Sequence, residues 1–177
     1  YLNGSDALNQ SRIFPYTGGS RFIQNGVLSP AATLIFARSL FAATIAGGLL
    51  LAWSVGAGLC WIGLLGVGAG WAYSASPFRL NSRGLGELCI AFTFTLVVVG
   101  ADFVQRRQFA HTPFWAGLSY AFLATNILYI NQFPDREADL IAGKRHWVAR
   151  VPVSQARWGY VLILLLAGLG IVVPVAL

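Results

Sequence analysis

The chain has 177 residues, of which 56% are hydrophobic and only 10% charged. Soluble domains carry roughly 25% charged residues, so this composition excludes an ordinary soluble domain and points to lipid. The formal net charge is +6, but the bases flank apolar runs and form no basic stripe, which argues against a nucleic-acid partner and for membrane orientation.

The first thirty residues are polar and loop-like. They hold Asp6, Asn9 and a "GGSR" string ending at Arg21. Gly18 and Gly19 would let the backbone approach an anion, which Arg21 could grip; a turn needing glycine explains the same string. Residues 39–78 then contain no charge at all. That is about twice the ~20 residues needed to cross the hydrocarbon, so it reads as most of two helices with a hairpin near 54–58. Five spans are expected, over 31–52, 56–74, 85–101, 113–130 and 157–177. The apolar runs are long and do not alternate, which argues against strands. The expected fold is therefore an all-α, multi-pass transmembrane helical bundle forming a single membrane domain. With no methionine and an apolar run at its C-terminal end, the chain is expected to be an internal piece of a longer protein. Cys60 and Cys89 each lie inside an apolar run, lack metal spacing, and read as small buried hydrophobes.

Sorting the bases by loop puts Arg12, Arg21, Arg79, Arg83, Arg136, Lys144, Arg145, Arg150 and Arg157 on one side and only Arg106 and Arg107 on the other. That asymmetry assigns the richer side to the cytoplasm. Arg38 falls inside the first span, where it could snorkel to the surface or face a polar cavity.

Half of the acids fall in "NQFPDREADLIAGKR", at the end of the fourth span. Asn131, Asp135 and Asp139 are spaced by four, which on a helix keeps them on one face with a drift of ~40° per step. Like charges at that spacing are unfavourable unless a cation offsets them, and Mg²⁺ takes one or two carboxylates with water and phosphate oxygens. A solvated loop of mixed charge is the plainer alternative. Lys144 and Arg145 follow, and bases beside metal-binding acids suit a phosphate-bearing substrate. The loop after the second span adds Tyr73, Arg79 and Arg83. Tyr73 could hydrogen-bond a substrate or belong to an interfacial aromatic belt. Glu87 lies where an acid favours a helix N-terminus.

The stretch "NQFPDREADLIAGKRHWVARV" resembles the second aspartate motif, N-x-x-x-D-x-x-x-D followed by G-K-R, of the UbiA-type intramembrane prenyltransferases. "PYTGGSRFIQNGVLSP" and "YSASPFRLNSRGLGEL" are similar to loops of its 1,4-dihydroxy-2-naphthoate prenyltransferase branch. The resemblance runs over nearly the whole chain. It implies a nine-helix fold of which this chain supplies helices three to seven. Two aspartate motifs would face each other across a cytoplasmic cavity and bind Mg²⁺ and a polyprenyl diphosphate. By the same resemblance Asp135, Asp139 and Asn131 form the second motif, and Lys144 and Arg145 contact the diphosphate. Asp6 matches the last aspartate of the first motif, although Leu2 stands four residues earlier. Asn9, Arg21, Tyr73 and Arg83 join as candidate substrate contacts. His146 and Trp147 depart from the threonine-led segment usual in the family.

The implied activity is Mg²⁺-dependent transfer of a polyprenyl group to an aromatic acceptor, 1,4-dihydroxy-2-naphthoate for this branch, in menaquinone biosynthesis at a prokaryotic plasma membrane. The aspartates would place metal and do no proton chemistry. Aromatic residues of the spans, among them Phe92, Phe94, Tyr120, Phe122 and Tyr129, could face the allylic cation. Other acceptors of the same family (4-hydroxybenzoate, homogentisate, a glycerol lipid) stay open. A non-enzymatic transporter would instead need acids near mid-membrane. The D-G-x-x-A-R string of CDP-alcohol phosphotransferases does not occur.

Overall fold

The computed structural model describes residues 4–10, 13, 16, 17 and 19–176; the side chains of 5, 6 and 174–176 lie outside that description. Every regular element among the described residues is helical. They are α1 (Ser5–Leu8), α2 (Pro30–Val55), α3 (Gly58–Ser74), a 3-10 turn (Leu80–Arg83), α4 (Gly86–Arg106), α5 (His111–Ile141), α6 (Trp147–Arg150) and α7 (Val153–Ala176). This is the all-α bundle that composition called for.

Local chemistry sets the boundaries. Ser29 caps α2, its Oγ accepting from the Ala32 N–H at 3.1 Å, and Pro30 follows where a missing N–H does no harm. The helix stops at Gly56, whose φ of 137° most residues avoid, and the hairpin into α3 falls where the sequence put it. Pro30–Val55, Gly86–Arg106 and Val153–Val173 are each long and apolar enough to cross a membrane. The 17 residues of α3 span about 26 Å, slightly under the ~30 Å hydrocarbon core. The 31 residues of α5 reach about 46 Å, so its charged end projects past an apolar slab of that thickness.

Here the structure extends the sequence reading. The fourth span was expected to end at residue 130, yet α5 continues to Ile141 with Pro134 inside it. Charge stops a segment from lying in lipid, but it does not stop a helix in water. Pro134 merely withdraws one backbone N–H from the ladder.

Successive long helices pack as neighbours, α2 on α3, α3 on α4, α4 on α5 and α5 on α7. Small residues make the closest approaches, as expected where lipid gives no hydrophobic drive between helices. A Cβ on Gly117 would sit 3.0 Å from Val98 Cβ and 3.2 Å from the Thr95 carbonyl. Between α5 and α7, Ser119 Oγ donates to the Ala167 carbonyl at 2.7 Å and Tyr129 Oη to that of Ala156 at 2.8 Å. Gly159 lies against the Tyr129 ring. By contrast, α2 buries only Ala52, and Trp53 beside it is 92% exposed. Such a surface suits lipid or further helices. Both cysteines are free. Cys89 is buried, but Cys60 is exposed on α3, contrary to the expectation from its apolar surroundings.

Candidate functional site

The three segments that charge sorting placed on one side meet at one end of the bundle. The Arg145 N–H donates to the Ser82 carbonyl at 2.8 Å, joining the loop after α5 to the loop after α3. The Arg150 guanidinium donates to the carbonyls of Arg145 and Arg83. Gly84, at φ 80°, runs so close beneath that guanidinium that an added Cβ would lie 2.9 Å from Arg150 Nη2. The N-terminal segment closes over the same end: α1 packs on α5, and Asn9 Nδ2 donates to Asp135 Oδ1. Arg21 in turn donates from Nη2 to the Asn9 carbonyl.

The acids sit in the last turns of α5. Asp139 is buried and faces two bases, Lys144 Nζ at 2.7 Å from Oδ1 and His146 Nε2 at 3.2 Å from Oδ2. The second approach is close but poorly aligned, since Nε2 completes no hydrogen bond. Burial alone would raise the Asp139 pKa. The polar contacts from His146 and Lys144, with their charge, outweigh it and hold the carboxyl below its ordinary value.

His146 does a second job. Its Nδ1 accepts from the Ala149 N–H at 3.3 Å and so caps α6. A threonine would supply the same kind of cap, so His146 keeps the turn and places an imidazole beside Asp139.

Of the expected residues, Asn9, Arg21, Asp135, Asp139 and Lys144 are therefore brought together. Asn131 lies on the same helix, two turns before Asp139. The side chain of Asp6 lies outside the described residues, although its helix packs on α5. Arg83 turns back to its own loop, donating from Nη2 to the Pro77 carbonyl at 2.8 Å. Arg145 is exposed beside it. Tyr73 is half-buried with its ring edge toward Gly86 at the start of α4. Of the five aromatics, Tyr129 is committed to the α5–α7 contact, and Phe94 and Tyr120 pair with each other at 5.8 Å between ring centroids.

Two residues had no assigned part in the site, Gln132 and Glu87. Both are buried, and Gln132 Nε2 donates to Glu87 Oε1 at 2.9 Å. Gln132 could have been found from its place three residues before Asp135, and Glu87 from its place in the loop "YSASPFRLNSRGLGEL" that carries the family resemblance.

Asp135, Asp139 and Asn131 offer oxygen donors, the set a hard cation such as Mg²⁺ prefers. No group of three or more His, Cys, Asp or Glu with the disposition of a metal site occurs among the described residues. Two carboxylates meet the need of a Mg²⁺ that keeps water and phosphate oxygens as its other ligands, so the donor chemistry fits.

The described residues form a multi-pass helical bundle of membrane-protein type, with Asp135, Asp139, Asn9, Arg21 and Lys144 gathered at one end. The chain belongs to the UbiA prenyltransferase family, whose model matches residues 12–177. A 2-carboxy-1,4-naphthoquinone phytyltransferase from Synechocystis sp. is 32% identical over 83 residues, which is 46% of this chain. The matched stretch covers 27% of that relative's length. No solved structure gives a significant match.

Proposed function

We propose that the protein containing this chain transfers a polyprenyl group from a polyprenyl diphosphate to an aromatic acceptor of the 1,4-dihydroxy-2-naphthoate type, a step in making a quinone. The observation that carries this reading is the meeting of Asp135 and Asp139 with Asn9, Arg21 and Lys144 at the end of an apolar bundle in a chain of this family. The naphthoquinone relative supports the acceptor class. The excess of bases at that end supports a cytoplasmic site.

Asp135, Asp139 and Asn131 are the residues that would hold Mg²⁺, with Asp6 completing the site from the N-terminal segment. Bound there, Mg²⁺ supplies positive charge against the diphosphate oxygens. Lys144, Arg145 and Arg21 add charge-assisted hydrogen bonds to the same oxygens, favouring departure of the diphosphate as the allylic C–O bond breaks. Asn9 holds Asp135 and anchors Arg21 through its carbonyl, so one residue positions an acid and a base together. The apolar helices take the isoprenoid tail, each buried methylene contributing about 0.8 kcal/mol. The transporter reading needs acids midway along a span, whereas those of α5 lie in its last turns.

The test uses the full-length protein in detergent with geranylgeranyl diphosphate and 1,4-dihydroxy-2-naphthoate. Prenylated product should form with Mg²⁺ and be abolished by a chelator. Asp135→Asn should lower kcat/KM by at least about tenfold, since even the outer-shell partners of metal ligands are worth about 10–100-fold. Unchanged turnover in that variant, or product without any divalent cation, would remove Asp135 from the site.

A further inference from the structure

Glu87 stands in the first turn of α4 and is 7% exposed. The helix N-terminus favours a negative charge at this place, but it does not explain why the side chain turns inward. One carboxyl oxygen is satisfied by Gln132 Nε2. The other, Oε2, is buried without a partner, and so is Oε1 of Gln132, a residue only 9% exposed. Buried polar atoms are nearly always paired, and orphans call for an explanation. Turning the Gln132 amide over removes neither orphan, because it would set a carbonyl oxygen against a carboxyl oxygen. An ionised Glu87 and the Gln132 carbonyl offer only acceptors. Any group that pairs with these two oxygens must therefore bring hydrogen-bond donors.

The position of this pair narrows the choice. Gln132 precedes Asp135 by three residues and Asp139 by seven. Helix geometry puts it about 4.5 Å deeper along the axis than Asp135 and within roughly 20° of the Asp139 stripe. Tyr73 lies close by, its ring edge toward Gly86, the residue before Glu87. Going inward from the membrane edge, α5 thus presents a charged end for the diphosphate, then a buried patch that accepts hydrogen bonds.

We infer that Glu87 and Gln132 form the subsite for a hydroxyl group of the aromatic acceptor, level with Asn131 and about 4.5 Å deeper along the axis than Asp135. The inference rests on the prenyl-transfer reading and extends it to the second substrate. The chemistry suits the reaction. A phenolic hydroxyl that donates to a carboxylate feeds electron density into its ring, making the ortho and para carbons better nucleophiles. The depth suits it too, since the reacting ring carbon must lie next to the prenyl carbon that leaves the diphosphate; the ring carbon then gives up its proton, which restores the aromatic ring.

The experiment compares 1,4-dihydroxy-2-naphthoate with 1-hydroxy-2-naphthoate and 4-hydroxy-2-naphthoate, each lacking one hydroxyl, in the full-length protein with geranylgeranyl diphosphate and Mg²⁺. Glu87→Gln should raise the KM for the dihydroxy acceptor at least tenfold while leaving the KM for the diphosphate within twofold. It should also shrink the preference for the dihydroxy acceptor over one analogue at least fivefold. That ratio cancels differences in intrinsic ring reactivity. Gln132→Asn, which withdraws the carbonyl by one methylene, should shift the same ratio and serves if Glu87→Gln does not fold. Equal changes in both KM values, or unchanged preference against both analogues, overturn the subsite and leave a buried pair satisfied by water. Product from wild type with that outcome keeps the prenyl-transfer reading. No product from wild type with any of the three acceptors overturns that reading and this subsite together.

Discussion

Asp139 shows how one side chain can serve both the fold and the site. Its carboxylate lies between Lys144 and His146, which hold its pKa below the ordinary value despite burial. A folded-state pKa below the unfolded one makes the charged form stabilising. That stabilisation is complete above the unfolded aspartate value of about 3.9 and is lost as pH falls through the lower folded value. In the full-length protein kept metal-free with a chelator, Asp139→Asn should cost about 1.5–3 kcal/mol at neutral pH, the range for hydrogen bonds to charged groups. The gap between wild type and variant in thermal unfolding should be present at neutral pH and close in acid. A gap that persists at the acid end would show that the carboxylate charge does not hold this contact. The spacing of Asn131, Asp135 and Asp139 was legible because helix periodicity alone fixes it. The partners of Asp139 were legible only in part. Lys144 stood out as a nearby base, whereas His146 looked like a departure from a motif until its cap and its approach to Asp139 were seen together.

At the scale of elements, the α5–α7 contact depends on side chains that are absent. A Cβ on Gly170 would lie 2.9 Å from both the Ser119 backbone nitrogen and its Cβ, and 3.0 Å from the Trp115 carbonyl. Backbone cannot step aside as a flexible side chain can. Gly168, on the same helix, has nothing within 4 Å of such a Cβ. Gly170→Leu should therefore destabilise the protein by about 1–3 kcal/mol or more, as overpacking does, while Gly168→Leu should be near neutral. Thermal unfolding of the two variants in detergent checks this, and equal effects would mean the contact is not close. A glycine-rich apolar helix was readable in the sequence as a membrane segment suited to close packing. Which glycines face a neighbour was not readable, because a helix apolar all round shows no preferred face.

At the scale of the molecule, the first loop, the α3–α4 loop and the end of α5 form one surface, and the α4–α5 turn lies at the opposite end. With Cys60 replaced by serine and Cys89 buried, single cysteines at Asn25 and Glu137 should be labelled by a membrane-impermeant thiol reagent from the same side, and one at Gln108 from the other. On the proposed reading, the excess of bases puts the first side in the cytoplasm. Labelling of all three from one side would contradict the antiparallel arrangement, and reversed labelling would contradict the assignment of sides.

The sequence by itself determined the solvent, the helices and the residue types offered to the proposed site. Hydropathy over twenty residues and charge at a spacing of four are local quantities, and the acid and base types name their chemistry wherever they end up. It did not determine how far α5 runs past its apolar stretch, since loss of hydropathy ends such a stretch and not a helix. Only the tertiary structure decided which groups share a place. Asn9 meets Asp135 across 126 positions and Gln132 meets Glu87 across 45. Such pairings arise from helices laid side by side through their small residues, and no periodicity along one chain records them. The two unpartnered oxygens beside Gln132 belong to the same level: a buried atom without a partner exists only once everything around it is in place.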